Sequence, residues 1–126
     1  DLWEKWVMIA SGAAITCLMR GAIGEIVNAP GGRELIDQVM AECSSVAQRS
    51  GHEPRADAVR LMSGQLLDGS SRWAASMMRD IEQGAPRLEA DAVVGDMLRR
   101  AGQYALDLPL VRTAYCHLKV YDGRAA

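Results

Sequence analysis

The sequence has no phenylalanine, and aromatic side chains make up only 5% of its 126 residues. The core must therefore be filled by Leu, Val, Ile, Ala and seven methionines (Met8, Met19, Met40, Met62, Met77, Met78 and Met97), whose flexible thioethers fill irregular gaps. Cysteine is scarce and odd in number. Cys17, Cys43 and Cys116 stand far apart with no Cys-x-x-Cys pair, which argues against a disulfide framework and a zinc knuckle and suits a reducing cytoplasm. Cys116 and His117 are neighbours, and neighbours on a helix point about 100° apart, so no metal site is expected there. Neither sign of charge dominates, with 14 basic and 16 acidic side chains and no long block of either, so a nucleic-acid-binding stripe is not expected. The longest uncharged run, residues 6 to 19, falls short of the roughly 20 residues of a membrane span and is diluted by Ser11, Gly12 and Thr16. A signal-peptide core is a rival reading of that run, against which Trp3 and the missing initiator methionine count. No Gly-x-Gly-x-x-Gly follows a strand-like run, so the dinucleotide-binding fingerprint is absent.

What is present is helical periodicity, and the expected class is all-α with six or seven helices in one domain, residues 1 to 126. Residues 2 to 19 read as one long helix, continuing to residue 26 or broken at Gly21 and Gly24, and ended by Asn28-Ala29-Pro30-Gly31-Gly32. Residues 33 to 50 form a second helix, with Leu35, Val39, Cys43 and Val46 in register and Gly51 as the stop; His52 then sits solvated in the following turn. Residues 57 to 67 form a third, with Val59, Met62 and Leu66 on one side. Ser71 is placed to cap a fourth helix that carries Trp73, Ser76, Met77, Asp80 and Ile81 as far as Gly84. Residues 88 to 101 give a fifth, whose end Arg99 and Arg100 complement, and Pro109 opens the last.

The chemistry concentrates in two places. Between residues 75 and 95 the pattern sets Ser76 and Asp80 one turn apart, stops the helix at Gly84 and Pro86, and places Glu89 and Asp91 in the first turn of the next. A hydroxyl and several carboxylates so gathered at a helix junction serve either as a site or as solvated capping groups. Lys5 precedes the uncharged run, where it either sits partly desolvated at a core edge, suited to donating a proton, or snorkels to water.

Taken together, Trp3-Glu4-Lys5, Ser76-Met77-Met78-Arg79-Asp80, Glu89-Ala90-Asp91 and Gly95 resemble the C-terminal domain of the ketopantoate reductase (2-dehydropantoate 2-reductase) family. The punctuation at Ala29-Pro30-Gly31-Gly32, at Gly51-His52 and at Leu108-Pro109 falls in matching places, so the resemblance spans almost the whole chain. It implies a helical fold like the C-terminal domain of 6-phosphogluconate dehydrogenase, packed against an upstream Rossmann domain that holds NADP(H) and lies outside this chain. The implied reaction is NADPH-dependent reduction of ketopantoate or a related 2-keto acid. Lys5 would be the acid, Glu89 would orient Lys5 or a substrate hydroxyl, Ser76 would bind the substrate carboxylate, and Asp80 would be structural. A homodimer is a further possibility, and the isolated chain is expected to be inactive.

Two departures from the family pattern stand out. Four and eight residues after the lysine the family carries asparagines, where this chain has Ile9 and Ala13; Thr16 leaves one hydroxyl in nearly the same direction. The interval from Asp80 to Glu89 is also one residue longer than usual. The loss of both amides motivates an alternative, a helical binding or dimerisation module that has lost its substrate contacts.

Overall fold

The carboxylate of Asp1 accepts the backbone N–H groups of Trp3 at 2.7 Å and Glu4 at 3.3 Å, so the first helix begins with its open donors satisfied. That helix, α1, runs Leu2–Met19 as expected. In this computed structural model, which describes residues 1–84 and 91–125, it is the axis of the domain. Because residues 6 to 19 carry no charge, α1 tolerates neighbours on every side, and Val7 and all residues from Ala10 to Cys17 are buried. Around it stand α2 (Ile23–Val27), α3 (Gly32–Arg49), α4 (Ala56–Leu66), α5 (Ser76–Glu82), α6 (Asp96–Gln103) and α7 (Pro109–Ala125), with a wide π turn at Asp91–Gly95. Seven helices, and no strand among the described residues, confirm the all-α class. Met40, Met62, Met77 and Met97 join the core, whereas Met19 is exposed at the end of α1.

The chain leaves α1 through Arg20, in the left-handed conformation at φ 53°, which separates α1 from α2. Between α2 and α3 the backbone turns so tightly that a Cβ on Gly32 would lie 1.6 Å from the Ile26 carbonyl oxygen. Two expectations need correction. Val59 is exposed, so α4 buries only Met62 and Leu66. The helix carrying Ser76 starts at Ser76 itself, with Ala75 as its cap, four residues later than the expected cap at Ser71. Residues 71 to 75 are extended instead, because the open N–H groups at the start of α2 reach them: Ile23 donates to the Trp73 carbonyl at 2.9 Å and Gly24 to that of Ser71 at 2.8 Å. Of the fifth expected helix, residues 88 to 90 lie outside the described residues. The rest is the π turn followed by α6, and the Trp6 indole donates to the Val93 carbonyl in that turn at 3.2 Å.

Glu42 is a carboxylate buried on α3, with no sequence signal for its role. It accepts the backbone N–H groups of Leu110 at 3.2 Å and Val111 at 3.0 Å, and the Gln38 amide at 3.1 Å. It therefore caps α7 from across the core, placing negative charge at the positive end of that helix. Glu42→Ala strands the buried Val111 donor and the half-buried Leu110 donor, and the expected cost is about 2–4 kcal/mol. Urea unfolding of the 126-residue chain checks this; an unchanged midpoint would remove Glu42 as the cap.

Candidate active site

Lys5 is exposed on the first turns of α1, so of the two sequence readings the structure favours the solvated one. Its neighbour Glu4 is fully engaged elsewhere. One Glu4 carboxylate oxygen accepts both the backbone N–H (2.8 Å) and Nε (3.0 Å) of Arg55, and the other accepts Nη2 at 2.8 Å. The side-chain bonds from Arg55, followed by its backbone bond, hold the Glu4 carboxyl at about 2, well below its usual 4.5. This clamp ties the start of α4 to the start of α1 and keeps Glu4 away from Lys5. Because the Glu4 value is depressed in the fold, its contribution to stability is complete above about pH 4.5 and is lost as pH falls towards 2. Glu4→Gln should remove that component, so that circular dichroism followed against pH shows a shallower acid-side loss; superimposable acid transitions would contradict the assignment.

Beside Lys5 a cavity of about 370 Å³ opens between α1 and α4, with Lys5 and Met8 on one wall and Ala58, Leu61, Met62 and Gln65 on the other. A second cavity of about 340 Å³ shares Met8 and Gln65 with it, is lined also by Asp68 and Ser71, and ends at Trp73. The two form one trough. Trp73 can lie there because α1 carries glycine at position 12: a Cβ on Gly12 would meet the indole at 2.5 Å. Farther along the same face of α1, the Thr16 hydroxyl donates to the Gly12 carbonyl at 2.7 Å and accepts the Ala75 N–H at 3.2 Å. Ala75 immediately precedes the exposed Ser76. Lys5 and Thr16 are eleven residues apart, which is about 16 Å along the helix axis and about 20° around it. Thus the structure sets Lys5 and the Ser76 segment on one face, at its two ends.

Glu89 lies outside the described residues. Asp91, from the same motif, is anchored to α7: Tyr115 donates its hydroxyl to the carboxylate and Lys119 approaches at 3.4 Å. The Tyr115 bond, then that of Lys119, lowers the Asp91 carboxyl below its usual range. Asp80 is half-buried on α5, and its charge adds to the burial that pushes the Cys17 thiol up to about 12. Burial likewise raises Cys43 to about 12. Trp3 is stacked rather than lining the trough. The exposed His52 ring lies 5.5 Å from it at 15°, and the Arg100 guanidinium is 5.2 Å from its centroid, so Arg100 serves this stack as well as the end of α6. Arg55 and Trp73 escaped the sequence reading. Arg55 carries no signal, since its partner is 51 residues away; Trp73 is a large apolar side chain in a polar stretch, but no local pattern links it to Gly12.

A helical domain ringed about one buried helix is the architecture of the C-terminal domains of ketopantoate reductase-like oxidoreductases. More narrowly, the chain belongs to the ketopantoate reductase family: the family model "Ketopantoate reductase PanE/ApbA C terminal" matches residues 1–122. The chain is 29% identical over 124 residues to the uncharacterized oxidoreductase YkpB of Bacillus subtilis, covering 98% of this chain and 40% of that protein. It is 28% identical over 109 residues to the 2-dehydropantoate 2-reductase of Shigella flexneri, covering 86% of this chain and 35% of that protein. A dimeric ketopantoate reductase from Staphylococcus aureus superposes with a TM-score of 0.85 at 27% identity, over 99% of this chain and 43% of that one. The chain thus spans well under half the length of these relatives. No helix among the described residues is long and apolar enough to cross a membrane.

Proposed function

We propose that this domain is the substrate side of a two-domain reductase that converts ketopantoate or a related 2-keto acid to the 2-hydroxy acid with NADPH. The observation that carries the reading is Lys5: an exposed ammonium at the mouth of the trough, with its neighbouring carboxylate locked onto Arg55, in a chain of this family. The residues present suit the carbonyl end of such a reaction. The dinucleotide we assign to an upstream Rossmann domain, in keeping with a chain that spans 40% and 35% of the length of two of its curated relatives. When bound, the nicotinamide supplies a hydride to the carbonyl carbon and is left oxidised.

The chain's own contribution is electrostatic and acidic. As the carbonyl carbon gains the hydride, its π pair moves to oxygen, and the Lys5 ammonium first offsets that charge and then gives the oxygen its proton. Ser76 hydrogen-bonds the substrate carboxylate, and Glu89 orients Lys5 or a substrate hydroxyl. Asp80 has a structural part beside Cys17. The free thiols Cys17, Cys43 and Cys116 suit a reducing compartment, and we place the protein in the cytoplasm. A homodimer, the state of the Staphylococcus aureus relative, is compatible with this reading. The test is NADPH oxidation with 2-keto acids by the full-length protein and its Lys5→Ala variant. Turnover that depends on Lys5 supports the proposal, and its absence with every keto acid overturns it.

A further inference from the structure

The two residues that flank Lys5 are each tied by their side chains to a distant part of the chain. Before it, Glu4 accepts the backbone N–H and the guanidinium of Arg55 at the start of α4, 51 residues away. After it, the Trp6 indole donates to the Val93 carbonyl in the π turn at 3.2 Å, 87 residues away. Neighbours on a helix point about 100° apart, so Glu4 and Trp6 leave α1 on opposite sides of the Lys5 direction. One flank of Lys5 is therefore fastened to α4 and the other to the π turn, with the lysine exposed between them. Both ties are firmly seated. The Glu4 side chain keeps only 11% of its surface exposed, and the Trp6 ring is backed by Trp3, with ring centres 5.0 Å apart, and by the Arg100 guanidinium at 6.0 Å. The π turn is itself held from its other side, where Tyr115 and Lys119 of α7 bind Asp91. Rotation of the first turns of α1 about their axis would strain one tie or the other.

We propose that Glu4, through Arg55, and Trp6 are positioning residues for the reduction: together they fix the rotation of α1 at Lys5 and so aim its ammonium at the carbonyl oxygen. This rests on the reductase reading above and deepens it. A general acid must come within hydrogen-bond reach of the atom it protonates, about 2.6–3.2 Å. The lysine nitrogen stands roughly 8 Å from the helix axis, so a rotation of about 10° moves it by more than about 1 Å, and a misplacement of about 1 Å is enough to cost up to about 10²-fold in rate. The flexible stem can follow such a rotation only by leaving its staggered rotamers. Two ties on opposite flanks resist rotation in both senses, which a single tie does not.

The test is a double-mutant cycle between each tie and Lys5 in the full-length protein, with NADPH and the 2-keto acid that it reduces, ketopantoate first. Trp6→Phe removes the indole N–H and leaves a ring in its place, and Glu4→Ala removes every bond to Arg55. Each is expected to lower kcat about tenfold with KM nearly unchanged. Glu4→Gln, which keeps an oxygen for the Arg55 N–H, should lose less than Glu4→Ala. In the Lys5→Ala background, read by single turnover with enzyme in excess, the same substitutions should leave the residual rate unchanged, because no ammonium is left to aim. A merely structural role would lower the rate by the same factor in both backgrounds. That result, or no loss in either background, would overturn this inference and leave the reductase reading standing. Full turnover in Lys5→Ala alone, or no reduction of any 2-keto acid, would remove the reductase reading and the inference with it.

Discussion

Lys5→Ala in the full-length protein is expected to lower kcat by about 10²–10⁴-fold, the contribution of a well-placed general acid, while NADPH affinity stays nearly unchanged. The selectivity follows from position. Lys5 is exposed at the rim of the cavity between α1 and α4, so removing it takes away charge and a proton without opening a hole in the core. The melting temperature should therefore match that of the unmodified protein, which separates loss of chemistry from loss of fold. Lys5→Arg retains the positive charge, but a guanidinium does not release its proton near neutral pH, so this variant should remain far below the unmodified enzyme. Added methylamine should partly restore turnover to Lys5→Ala, because a small amine fits the space left by the side chain. Steady-state kinetics with a saturating keto acid make the measurement, and full activity in Lys5→Ala would remove Lys5 from the mechanism.

Gly32→Ala should prevent the domain from folding cooperatively. The added Cβ would fall 1.6 Å from the carbonyl oxygen of Ile26, and its 3.4 Å contact with the Ile26 side chain is minor beside that. A backbone oxygen cannot swing aside as a side chain does. The Ile26 carbonyl also accepts the Ala29 N–H at 3.1 Å, and Gly32 donates to Ala29 at 3.0 Å, so relieving the clash means opening the whole turn between α2 and α3. That turn seats both helices against α1, and the loss is expected to exceed the ~4–5 kcal/mol that marks exceptional point mutations, against a total stability of ~5–15 kcal/mol. Gly64→Ala is the control. It lies within α4 with nothing within 4 Å of the new Cβ, and it should instead raise stability by about 0.4–1 kcal/mol. Thermal and urea unfolding of both variants decide the matter; a cooperative transition for Gly32→Ala near that of the unmodified chain would contradict the packing of this turn.

The central helix was readable because local composition alone determines it: fourteen uncharged residues bounded by Asp1 and Glu4 at one end and glycines at the other leave little but a helix buried on all sides. The breaks at Asn28, at Gly51 and at Pro109 were readable for the same reason, since proline and glycine act on their own backbone whatever lies nearby. The start of α5 was not. Residues 71 to 75 carry a pattern compatible with a helix, but their carbonyls serve the open donors of α2, almost fifty residues away in sequence. Glu42 was visible as a charged residue between Val39 and Val46 on the apolar face of α3, yet its partners at Leu110 and Val111 exist only once α7 has docked.

The candidate site divides along the same line. Lys5, Ser76 and Glu89 could be named from their residue types and order, and the chain's family was evident from those motifs. Sequence by itself determined the helical class and the buried central helix, because these depend on residue identity and short-range periodicity. Only the tertiary structure decided that Glu4 is held by Arg55, that Thr16 spends its hydroxyl on Gly12 and Ala75, and that the Trp73 indole lies against Gly12 of α1. Each of these joins groups from different helices, and no local pattern specifies which distant partner fills a hydrogen bond or the space beside a glycine.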